Sequence, residues 1–197
     1  MSEVLPGDRY FARLKVRKAP VDQDTLVRKG DRIALCGDSI TEIRNYTRVI
    51  ESYLAACHPE LDVDVRQFGW SGETAAGFRL RMTNDVLRFR PTLATLCYGM
   101  NDHGYKPFQT ELGMAYRESM EAVIRGLQGV GARVIAGSPG CVGQRPPWVN
   151  RSDYTDEVLN LSLNEFRGIA LDVSRATQAR FADVFLPMLL TGFEGRK

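Results

Sequence analysis

The chain has 197 residues, 44% of them hydrophobic and 25% charged, which is enough for one domain with a full core and leaves no need for a second. A net charge of +2 is too mild to imply a nucleic-acid or membrane-surface partner. No stretch is long and apolar enough to span a bilayer.

The first thirty residues begin Met1-Ser2-Glu3-Val4-Leu5-Pro6, without the basic-then-apolar pattern of a leader. A cytoplasmic location is expected, or a secreted or periplasmic one if a leader has been removed. Tyr10 to Val16 alternates weakly, so residues 1–30 are expected to form an N-terminal arm or an added edge strand, with one α/β domain over residues 31–197. From Asp31 onward short apolar runs alternate with amphipathic segments, which predicts successive βαβ units and a mostly parallel sheet. The strand candidates are Arg32 to Cys36, Val63 to Phe68, Leu93 to Tyr98, Arg133 to Gly137 and Phe181 to Phe185.

Three helices are predicted between them. One carries Ile40, Ile43, Tyr46, Ile50, Leu54 and Cys57, and another carries Tyr116, Met120, Val123, Ile124 and Leu127, each at spacings of about three and four. The third runs from about Tyr154 to Thr177, with Ser152 or Asp153 as its cap. Cys36, Cys57, Cys97 and Cys141 lack metal-ligand spacing and read as buried thiols; Cys36 and Cys97 could be neighbours if their strands are adjacent. The basic clusters at residues 13–18 and 79–90 are interleaved with apolar residues and read as solvated faces.

In an open parallel sheet ligands bind beyond the carboxyl ends of the strands. Three polar turns follow strands here: Gly37-Asp38-Ser39, Gly69-Trp70-Ser71-Gly72-Glu73-Thr74 and Gly99-Met100-Asn101-Asp102. Ser39 would sit where a strand turns into a helix, with its N–H at the positive end of the dipole, so one residue could supply both a nucleophile and an oxyanion donor. Gly72 could bring a backbone N–H close to a developing oxyanion, and Asn101 could add a side-chain donor. Each feature alone also fits an ordinary helix cap or turn. Three of them in order, each behind its own strand, are much harder to obtain by accident.

These residues resemble the GDSL-type, or SGNH, hydrolase family of esterases and lipases. Gly37 to Glu42 is similar to its first block, Ser71 to Thr74 to its second and Gly99 to Asp102 to its third, and the resemblance runs from about Asp31 to the end. It implies a flavodoxin-like three-layer α/β/α sandwich on a mostly parallel five-stranded sheet. It also implies Ser39 as nucleophile, an oxyanion hole made by Ser39, Gly72 and Asn101, support from Asp38, and no metal or organic cofactor.

The departure lies in the family's fourth block, an Asp-x-x-His that supplies the base. The only histidines are His58 and His103. His58 reads as a helix C-terminal cap, and His103 as a cleft residue within the third block. The chain is therefore expected to be a serine esterase lacking its last segment, ending at Lys197 as trypsin-like cleavage would leave it and nearly inactive on its own.

The family resemblance favours a short-acyl ester, such as an acetylated carbohydrate, with Trp70, His103, Tyr105 and Trp148 lining a cleft or simply packing. A small-molecule or carbohydrate ester is the expected partner, and the oligomeric state is open. Two alternatives stand beside this reading. One is a non-catalytic carbohydrate-binding relative of an esterase. The other is a metal-dependent phosphoesterase using Asp38, Asn101, Asp102 and His103, although the chain has no His-x-His pair.

Overall fold

The computed structural model of the protein describes residues 9–14, 16–20 and 26–194. Five strands, β1 (Arg32–Gly37), β2 (Asp64–Gly69), β3 (Leu93–Cys97), β4 (Arg133–Gly137) and β5 (Arg180–Ala182), form one sheet in the order β2-β1-β3-β4-β5. Every pairing is parallel. The helices are α1 (Arg9–Arg13), α2 (Ser39–Glu42), α3 (Asn45–Cys57), α4 (Ala75–Asp85), α5 (Thr110–Gly129), α6 (Asp156–Thr177) and α7 (Phe185–Glu194).

Alternation along the strands divides the core. Ala34, Cys36, Ala94, Leu96, Val134 and Ala136 face Phe78 and Met82 of α4, Tyr116, Met120, Val123 and Ile124 of α5, and Phe166 and Ala170 of α6. Ile33, Leu35 and Leu93 face the opposite way, toward Ile50 and Leu54 of α3. The result is the three-layer α/β/α sandwich, with an all-parallel sheet. A third cluster joins Phe11 and Leu14 to Leu159 and Leu163 of α6 and to Phe185, Leu186 and Leu189 of α7.

Several elements differ from their sequence-based bounds. The helix expected through Ile40 and Cys57 is broken at Arg44, whose φ of 62° is left-handed, so Ile43 stays exposed. The cap of α6 is Thr155, whose side chain accepts from the Val158 N–H, rather than Ser152 or Asp153. β5 ends at Ala182, and Phe185 opens α7 instead of extending the strand. Arg9 to Arg13 is helical, and the described residues before β1 contribute no strand; residues 1–8, 15 and 21–25 lie outside the description. Across β1 and β3, Cys36 pairs with Leu96 and Cys97 with Gly37, so the two thiols project to opposite faces. No disulfide joins any two of the four cysteines.

Candidate active site

Register brings the three turns together. Gly37, Gly69 and Cys97 end their strands side by side, so residues 38–39, 70–74 and 98–102 leave the sheet at one level. Gly37 is required there by close approach, because a Cβ at this position would lie 2.1 Å from Thr41 Oγ1.

Asp38 caps α2 by accepting from the Ile40 N–H at 3.0 Å, and Ser39 follows as the first helical residue, partly exposed. Its N–H has no intrahelical acceptor. Gly72 takes a φ of 74°, a conformation costly for residues with a Cβ, and space around it is open. Among the described residues no carbonyl or side chain takes the backbone N–H of Ser39 or Gly72.

Glu73 ties the turns to one another. Its carboxylate accepts from Arg81 Nε and Nη2 at 2.5 and 2.6 Å and from the Tyr98 hydroxyl at 2.9 Å. Tyr98 also reaches the Gly37 carbonyl at 3.3 Å. The Glu73 carbonyl accepts from Asn101 Nδ2 at 2.9 Å, and Asp102 accepts from the N–H groups of Ala75 and Gly99, both at 2.9 Å. The side chain of Glu73 is only 7% exposed and that of Arg81 20%, so charge-assisted bonds operate where water competes little. The motif reading did not single out Glu73, Arg81 or Tyr98 for this role. The available signal was an acidic residue just before a helix cap with an arginine two turns later, which is thin.

Burial dominates the titration of the site's acids. It pushes the Asp102 carboxyl up to about 6 against the pull of its two N–H bonds, and the Asp38 charge adds to the rise. Burial raises Asp38 as well, with Glu73 contributing.

His103 corrects an expectation, because it is fully buried and presents no surface to a cleft. Its Nδ1 bonds the Met100 carbonyl, its ring lies 4.8 Å from Tyr105 and 6.3 Å from Phe166, and burial lowers its pKa to about 4. Its Nε2 has no hydrogen-bond partner. An imidazole held in this way cannot reach out to take a proton from Ser39. His58 caps α3 and engages Glu60 and Tyr53, each at 3.3 Å. Because α3 runs back from the carboxyl edge, His58 sits at the amino end of the sheet, remote from the serine.

Of the other cleft candidates, Tyr105 and Trp148 meet edge to face at 5.8 Å. Trp148 is 64% exposed and Trp70, beside Arg81, is 62% exposed. Among the described residues no group of three or more His, Cys, Asp or Glu side chains converges as a metal-binding set, so the phosphoesterase residues do not form one. No helix among them is long and apolar enough to cross a membrane.

The chain is 22% identical over 175 residues to an acetylxylan esterase of Geobacillus stearothermophilus, covering 78% of this chain and 76% of that protein. A solved structure of a serine-to-alanine catalytic mutant of that enzyme superposes with a TM-score of 0.70 at 18% identity, over 85% of this chain and 82% of the other. Catalytic mutants of an aspartate and of a histidine three residues after it have also been solved. A gut microbial diltiazem-metabolizing enzyme matches with a TM-score of 0.72 at 19% identity, over 91% of this chain and 41% of that one. The model of the GDSL-like lipase/acylhydrolase family matches residues 35–195, and the chain belongs to that family.

Proposed function

We propose that the site is that of a serine esterase acting on short-acyl esters, with an acetylated carbohydrate as the substrate class. The observation that carries this reading is the stitching of three turns around Glu73, which gathers Ser39, Gly72 and Asn101 at one edge of the sheet. Ser39 Oγ attacks the ester carbonyl. The N–H groups of Ser39 and Gly72 and the Asn101 amide take the developing oxyanion, each donor contributing roughly 2.7 to 4 kcal/mol of transition-state stabilisation. The alcohol leaves, and water hydrolyses the acyl-serine.

The proton on Ser39 needs a base, and neither His58 nor His103 is placed to accept it. A protein of these 197 residues alone is therefore nearly inactive, because loss of a triad base typically costs on the order of a million-fold in turnover. The relative's catalytic aspartate and histidine are the kind of pair that would complete the site. Without a base acylation and deacylation are both slow, so the acyl-serine is expected only with an excess of activated ester and an added base such as imidazole.

The test is to incubate the protein with excess p-nitrophenyl acetate, without and with imidazole as an added base, and to map acetylation by peptide mass spectrometry. Acetyl-Ser39 that disappears in Ser39→Ala is expected. Absence of that adduct with imidazole present would overturn the nucleophile assignment, and robust Ser39-dependent turnover without imidazole would overturn the predicted inactivity. The exposed Trp148 ring on Tyr105 favours, as a second reading, a protein that binds saccharide without cleaving it. Saccharide binding with no acetyl-Ser39 would decide for it.

A further inference from the structure

The amide of Asn101 is held from two sides. Its Nδ2 donates to the Glu73 carbonyl at 2.9 Å, and its Oδ1 accepts from the Tyr105 hydroxyl at 3.0 Å. A backbone carbonyl can only accept, so Nδ2 must face Glu73 and Oδ1 must face Tyr105. Of the two Nδ2 protons one is engaged, and a single N–H is left to donate elsewhere.

The backbone of Tyr105 is bent to make this contact. Its φ is 54°, directly after Gly104 at 64°, and a bulky residue seldom adopts that left-handed conformation unless its surroundings over-determine it. Those surroundings are rigid. The Gly104 N–H bonds the Asn101 carbonyl at 3.0 Å and the His103 N–H bonds the Gly99 carbonyl at 3.1 Å. Below, the buried His103 ring lies 4.8 Å from the tyrosine ring, and Trp148 meets it edge-on from the next turn.

We propose that Tyr105 is a positioning residue for Asn101: its hydroxyl, brought back over the turn by two successive left-handed residues, locks the Asn101 amide so that one N–H points at the oxyanion site. This rests on the esterase reading for its purpose, but not for its geometry. It also gives the Tyr105–Trp148 contact a consequence. A ligand on Trp148 leans on the residue that aims the amide.

Tyr105→Phe separates this role from simple packing, because phenylalanine keeps the ring against His103 and Trp148 and removes only the hydroxyl. The readout is the side-chain amide cross-peak pair of Asn101 in a ¹⁵N-labelled protein, identified by its loss in Asn101→Asp. In Tyr105→Phe the pair is expected to shift and its solvent exchange to quicken about fivefold, as for loss of one ordinary hydrogen bond. The rate of Ser39 acetylation by p-nitrophenyl acetate should fall by a similar factor. The amide measurement needs no turnover, so a protein whose Ser39 never acetylates refutes the esterase reading and leaves the clamp to be judged by the cross-peaks alone. Asn101 cross-peaks and exchange identical to wild type in Tyr105→Phe would overturn the clamp.

Discussion

Two buried ion pairs flank the carboxyl edge of the sheet, and they do different work with the same chemistry. Arg167 is 1% exposed and grips Asp183, just after β5, through both carboxylate oxygens. It also donates to the Arg17 carbonyl at 2.9 Å, while Asp183 accepts weakly from the Leu186 N–H at the start of α7. That pair fastens the N-terminal arm and α7 onto α6. The Arg81–Glu73 pair instead holds a turn whose carbonyl orients Asn101. A buried salt bridge is thus no sign of a site by itself; what the acid's neighbours bond to decides.

The contrast is sharpest for stability. Arg167→Ala leaves Asp183 buried and unpaired, a change that typically costs 3 to 5 kcal/mol, so urea denaturation should show a loss of about that size. The acetylation rate of whatever remains folded should be unchanged. Asn101→Ala should do the reverse, lowering Ser39 acetylation about a hundredfold or more with a modest effect on the denaturation midpoint. Tyr98→Phe removes a hydroxyl shared between Glu73 and Gly37, and a bond to a charged group is worth about 1.5 to 3 kcal/mol. Both stability and acetylation should fall, since this hydroxyl serves the site pair.

The pH dependence supplies the smallest and most specific check. Asp102 is raised to about 6 in the folded protein, so the native state binds its proton more tightly, and this group lowers stability as pH rises from about 4 to about 6. His103 is depressed to about 4, so the unfolded state binds its proton more tightly, and this group raises stability as pH climbs from about 4 to about 6.5. The two nearly offset each other. Asp102→Asn should unmask His103 and give a steeper rise in stability from pH 4 to 6.5, measured as urea midpoints. An unchanged slope would show that Asp102 titrates normally.

Much of this was legible in the chain. The βαβ alternation and the three polar turns depend on local patterns, and Ser39, Gly72 and Asn101 fall where strand ends in register must bring their turns. Helix α4 has no clean apolar stripe to announce it: Arg81 serves Glu73, and Leu80 is exposed. The break at Arg44 depends on one left-handed residue inside an uninterrupted apolar period. The burial of His103 is set in part by Phe166, far along the chain on α6, and no local signal carries such a contact.

The place of β1 between two neighbours bears on how the site comes into being. With β2 on one side and β3 on the other, the serine turn gains its neighbours only after a long stretch of chain, from Arg32 to Asn101, has folded back on itself twice. Such non-local pairing slows folding, since closure entropy is lost before contacts repay it. Refolding should therefore restore the reactive serine late and in one cooperative step, and no fragment shorter than that stretch should display it.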